Sequence, residues 1–402
     1  MKKTKKWLKP RHKFFKKLLF YPFLWISKFK YGMKVERFRE EGGRPYLILM
    51  NHTTLFDQFF VSFSFKQPIY FVASEDIFSN GWTSSLIRYM FAPISIKKQS
   101  TDAAAVKNIF QVAKEGGTIC IAPEGNRSYD GKTCYISPTI ARVARKLKLP
   151  IALYRIEGGF GVHPRWSDTV RKGPGRSYVS KVIEPEEYAE LTDDELYEAV
   201  RTGIFMNEGV SDALYKSSKR AENIERVLYI CPDCGLSHFK SLKNEFWCTG
   251  CNRKITYNED KSLSAENGDF PFHFLTEWYN YMGDFVLSMK EEEYAGKILF
   301  RDTASIYRVI PEKKKVLLHR DTTLSLMTDR IRIGEGENAE AFAFSGITAA
   351  AAVGKNKANL YIGKDIYQLK GDKSFNALKY VNLIYRYKQK SGELTDGQFL
   401  GL

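Results

Sequence analysis

The chain predicts an α/β domain built around a largely parallel sheet, followed by a four-cysteine module and a β-rich domain. Three observations predict it. Apolar runs of strand length alternate with segments of helical spacing over residues 35–215. Two CxxC pairs then occur with 13 residues between them. From residue 298 onward the pattern changes to short strands parted by turns rich in Gly, Asn, Asp and Lys. A length of 402 residues suits two or three domains. With 44% hydrophobic and 27% charged residues, the chain has a folded globular composition.

Each element has its own signal. Tyr46 to Met50 reads as a buried strand. Residues 101–114 have helical spacing, with Ser100 or Thr101 as the expected cap and Gly116-Gly117 as the stop. Thr118 to Ala122 is a second strand, Pro138 to Leu147 a helix and Ile151 to Ile156 a third strand. Tyr178 to Ile183 is a further strand and Asp193 to Met206 a helix. Residues 216–230 read as a linker, 231–257 as the cysteine module and 258–297 as a connecting helical segment, with a helix over Glu277 to Met289. Residues 298–402 form a β-rich domain with a C-terminal helix at Ser374 to Tyr387, where Leu378, Val381, Ile384 and Tyr385 share one face. Several strands and one amphipathic helix suggest a barrel or sandwich of pleckstrin-homology-like type.

The net charge of +16 is concentrated at one end. Residues 1–34 carry 12 Lys and Arg and no acid; the rest has 50 basic and 46 acidic residues. A nucleic-acid binder more often spreads its charge over a folded face, so no nucleic acid is expected as partner. The apolar stretch Leu18 to Ile26 contains Pro22 and is far short of the roughly 20 residues that span a bilayer. No small-residue cleavage site follows it. Aromatic residues and leucines among lysines suit a segment lying on an anionic membrane surface. With cysteines that do not read as a disulfide framework, this predicts a cytoplasmic protein, peripheral on the inner face of the membrane.

Two motifs carry the chemistry. Asn51-His52-Thr53-Thr54-Leu55-Phe56-Asp57 follows the first strand and Pro123-Glu124-Gly125-Asn126-Arg127-Ser128 follows the second. A carboxylate on one imidazole nitrogen fixes the tautomer and raises the basicity of the other. Five residues of regular helix would leave His52 and Asp57 roughly 140° apart. They can meet only if His52 precedes the first helical turn, for which Thr53 and Thr54 are suitable caps. Gly125 permits a tight turn, and Arg127 offers a planar fork to phosphate. Glu124 could accept from a substrate hydroxyl or hold Arg127.

Together the two motifs, about 70 residues apart, resemble the glycerolipid acyltransferases of the 1-acylglycerol-3-phosphate acyltransferase family. FAPISIKK (91–98) and LPIALYRIEG (149–158) are similar, in order, to two further blocks of that family. The resemblance covers about residues 20–215. It implies a mixed sheet flanked by helices and acyl transfer from a thioester, on acyl-CoA or acyl carrier protein, to the hydroxyl of 1-acylglycerol 3-phosphate, giving phosphatidic acid. His52 would be the base and Asp57 its orienting acid. Glu124, Gly125, Arg127, Lys98 and Thr54 would bind the acceptor. Three positions depart from the family pattern: Thr54 stands for serine, Asn126 for threonine and Lys98 for arginine. Acylation of another lysolipid is one alternative. A non-catalytic protein that binds membrane or RNA on a degenerate scaffold is another.

Cys231, Cys234, Cys248 and Cys251 have the spacing of a tetrahedral zinc ribbon. Four thiolates leave no open position, so the expected zinc is structural. Cys120 is expected in the core, and the Ala349 to Ala352 run is expected to serve packing.

Overall fold

A computed structural model describes residues 6–96, 102–310, 313–336 and 339–393. The chain divides into two compact units. One comprises Met1–His163 and Lys172–Glu208, the other Pro164–Arg171 and Gly209–Leu402.

The first unit runs α1 (Pro10–Phe29), β1 (Met33–Val35), β2 (Leu47–Met50), α2 (Asp57–Ser64), β3 (Ile69–Ser74), α3 (Trp82–Phe91), β4 (Ile94–Ile96) and α4 (Ala103–Lys114). It continues with β5 (Thr118–Ile121), α5 (Thr139–Leu147), β6 (Ile151–Glu157), α6 (Gly159–Val162), β7 (Gly175–Ile183), α7 (Pro185–Ala189) and α8 (Asp193–Ile204). The sheet order is β1-β7-β6-β2-β5-β3-β4. Every neighbouring pair is parallel except β6 with β7. All four residues of β2 are buried, as a central strand covered on both faces requires. Leu47, Leu49, Ile119, Ile151 and Leu153 share one core with Ile109 and Val112 of α4 and Leu196 and Val200 of α8. Cys120 is buried in this sheet.

Three details differ from the sequence reading. The cap of α4 is Asp102, whose carboxylate accepts from the Ala105 N–H at 3.0 Å; Ser100 and Thr101 lie outside the described residues. The segment 57–91 yields α2, β3 and α3, which periodicity did not announce. Helix α2 has only eight residues, half of them polar, which is shorter than the window in which a 3.6-residue period declares itself. Finally, α1 turns His12 and Lys16 inward. His12 Nδ1 lies 3.0 Å from the Tyr70 hydroxyl, and Lys16 Nζ donates to the Phe65 carbonyl at 2.7 Å. Burial holds His12 down at about 4 and Lys16 at about 8. The side chains α1 leaves outside are Phe14, Leu18, Tyr21, Trp25 and Phe29, each more than half exposed. None of the helices among the described residues is long and apolar enough to cross a membrane.

The second unit begins with β8 (Ile230–Cys231), β9 (Gly235–Leu236), β10 (Phe239–Leu242), β11 (Glu245–Cys248), β12 (Lys254–Tyr257) and β13 (Leu263–Ala265). Helices α9 (Leu275–Ser288) and α10 (Glu291–Tyr294) follow. Then come β14 (Phe300–Val309), β15 (Val316–Leu326), β16 (Arg330–Ile333), β17 (Glu340–Ala343), β18 (Ala349–Val353), β19 (Lys357–Ile362), β20 (Asp365–Gly371) and α11 (Ala377–Lys390). The last seven strands form one antiparallel sheet, ordered β17-β16-β15-β14-β20-β19-β18. The alanines of β18 are fully or almost fully buried, and their small side chains let α11 lie across β18 and β19.

Residues 216–230 are not a free linker. Ala221, Ile224, Val227, Leu228, Tyr229 and Ile230 are buried, so exposing this segment would forfeit apolar burial. The segment 258–297 likewise does more than connect. Trp278 of α9 is fully buried, stacks on Phe272, and donates through Nε1 to the Ile230 carbonyl. Pro164–Arg171 is integrated by Arg226, which donates to the Trp166 carbonyl and pairs with Asp168.

Candidate active site

β2 and β5 are neighbouring parallel strands, so the loops after their carboxyl ends emerge side by side. That edge is where open α/β sheets bind ligands. The first loop carries His52 and the second Glu124 to Ser128. Two hydrogen bonds join them: the His52 N–H donates to Glu124 Oε1 at 2.7 Å, and the Ser128 N–H donates to the His52 carbonyl at 3.2 Å. Asn51, unremarked in the sequence beyond its place in the motif, fixes the other side. Its amide bonds both the N–H and the carbonyl of Ile156, which ties the end of β2 to β6.

His52 Nδ1 lies 2.8 Å from Asp57 Oδ2. Asp57 opens α2 and is fully buried. Its carboxylate also accepts from the N–H groups of Thr53 and Thr54 and, at 2.6 Å, from the Thr54 hydroxyl. The chain turns between the two residues, and His52 precedes the helix. The expected threonine caps are corrected: α2 begins after Phe56 with no side-chain cap, and the Thr54 hydroxyl instead accepts from the Phe56 N–H and donates to Asp57. Thr54, expected to bind the acceptor, is fully buried and bonded to Asp57.

Glu124 is placed differently from expectation. It is almost fully buried, with Oε1 on the His52 N–H and Oε2 on the Cys134 N–H at 2.7 Å. Both oxygens therefore hold backbone, and neither is positioned as the first partner of a substrate hydroxyl. Burial pushes its carboxyl up to about 8, against the pull of the two N–H donors. Cys134 contributes that second N–H. Gly125 adopts φ +69 and donates its N–H to the Ala122 carbonyl, so its role is the left-handed turn that aims the loop. Arg127 is buried close enough to the hydroxyl of Tyr31 to act on it electrostatically, as does Asp57. Tyr31 in turn stacks on Phe56 at 4.9 Å. Lys98 lies outside the described residues.

Gly159 was not anticipated. A Cβ there would sit 2.1 Å from Thr53 Oγ1, so the start of α6 presses directly on the loop that holds His52. The signal in the sequence was a Gly-Gly pair after a strand, which reads equally well as a turn.

In the second unit, the sulfurs of Cys231, Cys234, Cys248 and Cys251 all lie within 4.8 Å of one another. Cys231 and Cys251 are 3.7 Å apart, and Cys234 and Cys248 3.4 Å. A tetrahedral zinc with bonds of about 2.3 Å separates its sulfurs by roughly 3.8 Å, so the cluster fits the ion. The Gly250 N–H points at Cys248 Sγ from 3.3 Å, as an outer-shell donor to a thiolate should.

Residues 32–156 match the family model described as Acyltransferase. No curated protein matches the chain. Among solved structures, the chain is similar to the 1-acyl-sn-glycerophosphate (LPA) acyltransferase PlsC from Thermotoga maritima. The identity is 21%, over 48% of this chain and 76% of that one, with a TM-score of 0.40. It is also similar to the Inner Membrane Complex Sub-compartment Protein 3 from Toxoplasma gondii, at 12% identity, over 27% of this chain and 85% of that one, with a TM-score of 0.18. The family match supports an acyltransferase, which requires an acyl donor as co-substrate.

Proposed function

We propose that the protein transfers a fatty acyl group from acyl-CoA or acyl carrier protein to the hydroxyl of 1-acylglycerol 3-phosphate, giving phosphatidic acid. The observation that carries the reading is the 2.8 Å contact of His52 with Asp57, inside residues that match an acyltransferase family. With Nδ1 held by the carboxylate, Nε2 is the basic nitrogen. It removes the acceptor's proton as the alcohol oxygen attacks the thioester carbonyl. Collapse of the tetrahedral adduct expels the thiolate, which takes up that proton. Arg127 neutralises the acceptor's phosphate. Glu124, Gly125 and Thr54 set the loops that place these groups.

The remaining parts follow from the same reading. The cysteine cluster holds a structural zinc ion in a ribbon. The β-rich domain is read as pleckstrin-homology-like on its seven strands and closing helix. The outward apolar stripe of α1, flanked by lysines, lies on the inner face of an anionic membrane.

The test is acyl transfer by the purified protein from labelled acyl-CoA to lysophosphatidate in mixed micelles, with His52→Ala alongside. Activity in the wild type and its loss in the variant are expected. Near-normal turnover by His52→Ala overturns the assignment of the base.

A further inference from the structure

Helices α2 and α3 cover one face of the first unit's sheet. They carry the chain from β2 to β3 and from β3 to β4, both toward the same end of the strand order, and right-handed crossovers in one direction fall on one face. Helices α4 and α5 step back along that order and join α8 in the core of the other face. On the first face α1 is an outer layer. Its Phe23 stacks on Phe59 of α2 at 4.2 Å, and its Phe15 meets Tyr89 of α3 edge-on at 5.8 Å.

The outward side of α3 is apolar. Trp82, Leu86 and Tyr89 recur at the spacing of one helical face and are 74%, 44% and 52% exposed, while Ser84 is turned inward and buried. A surface helix ordinarily turns its apolar stripe to the core, so an apolar stripe left outside marks a contact surface. This stripe is joined to the one on α1. Tyr89 touches Phe15, and Phe15 touches Phe14 of the outward stripe at 5.4 Å. Arg11 Nε donates to the Tyr89 carbonyl at 2.9 Å, and its guanidinium lies 4.2 Å from the centre of the Tyr89 ring. Trp7 Nε1 donates to the Ala92 carbonyl at 3.1 Å. The two helices therefore present one exposed surface.

The charges beside that surface indicate what covers it. Residues 6–35 and 77–96 contain Lys and Arg and not one Asp or Glu. An acid-free surface with Trp, Tyr and Leu at its centre complements anionic lipid: the rings sit at headgroup depth and the cations meet phosphates.

We propose that α3 is a second membrane-contacting helix, with Trp82, Leu86 and Tyr89 entering the interface of an anionic bilayer beside the stripe of α1. The proposal rests on the membrane placement of α1 in the proposed function and widens that contact from one helix to a face. A single helix leaves a protein free to roll about its axis; two joined helices fix which side meets lipid. The end of α1 leads to Tyr31, which stacks on Phe56 next to Asp57, so the loop of the proposed base lies at one end of this face.

The test uses the full chain with vesicles of phosphatidylglycerol and phosphatidylcholine in equal parts, and with phosphatidylcholine vesicles alongside. Trp82→Ser with Leu86→Ser should weaken co-sedimentation with the anionic vesicles by about fivefold or more, with Tm unchanged. Trp82→Phe keeps the apolar contact and removes one fluorophore, so the fraction of tryptophan emission quenched by brominated phosphatidylcholine in the anionic vesicles should fall. An unchanged quenched fraction, or equal binding to the neutral vesicles, overturns the proposal. So does undiminished sedimentation of the α3 double variant when Trp25→Ala with Phe29→Ala has lost it, a result that leaves α1 as the membrane helix. A dimer that the α3 substitutions dissociate, with vesicle binding intact, gives the stripe to a second copy of the chain instead. If wild type binds neither vesicle, the placement of α1 falls together with that of α3.

Discussion

The His52 backbone N–H donates to Glu124 Oε1 across 72 positions of sequence. The residue proposed as base is thus held at its main chain by the second motif and at its ring by Asp57. Position and tautomer are set by different carboxylates, and each can be removed separately.

Asp57→Asn leaves the shape of the side chain but cannot hold the imidazole in the same tautomer. We expect kcat to fall by about 10²–10⁴, the range of general-base assistance, with far-UV circular dichroism unchanged. A kcat within threefold of wild type would remove Asp57 from the proposed relay.

Glu124→Ala leaves two buried N–H groups unpaired, each at a penalty of about 1–3 kcal/mol. Glu124→Gln tests the ionisation. The ordinary value is 4.5 and the folded value about 8, so between them the folded state holds a proton that the unfolded state has released. This contribution is full below about 4.5 and is lost as pH rises through 8. Urea unfolding at pH 5, 7 and 9 should show a decline in wild type of at most ~1.4 kcal/mol per pH unit from this group. The decline should be shallower in Glu124→Gln; parallel profiles would contradict the raised value.

Gly159→Ala drives a methyl group into Thr53 Oγ1. We expect lower acyl transfer and a lower Tm, by an overpacking cost of about 1–3 kcal/mol. Thr53→Ala in the same chain should recover part of both. Additive losses in the double variant would show that the clash is relieved elsewhere.

Cys248→Ser should reduce bound zinc, measured by atomic absorption, from one equivalent to a small fraction of that. It should also lower the Tm of the second unit, and chelation of wild type should do the same. Metal content near zero in untreated wild type, with an unchanged Tm, would argue against the structural ion.

Deleting the N-terminal residues is a poor test of membrane binding. Trp7 and Leu8 donate their N–H groups to the Glu115 carboxylate, so truncation also disturbs the first unit. Trp25→Ala with Phe29→Ala alters only the exposed stripe. Sedimentation with anionic vesicles should weaken severalfold, and undiminished sedimentation would move the membrane face off α1.

Much of the architecture was legible because it depends on local pattern. Buried parallel strands are short apolar runs, and the runs ending at Met50 and Ala122 announced β2 and β5. Helix α2 was missed because its eight residues are too few for a helical period to declare itself. The buried segment 216–230 was missed because a polar start disguised the apolar residues after it. At the candidate site, His52 and Asp57 could be paired from spacing and turn logic. The roles of Thr54 and Glu124 could not, since a hydroxyl or carboxylate in a motif reads the same whether it faces substrate or backbone.

The sequence by itself determined the residue types, the two loops after two strands, and the four sulfurs in two turns. Those are properties of covalent spacing and local periodicity. Only the tertiary structure decided that Glu124 holds the main chain of His52 and that Gly159 braces Thr53. Each of these depends on which strands are neighbours, and strand order is chosen by the packing of the whole sheet.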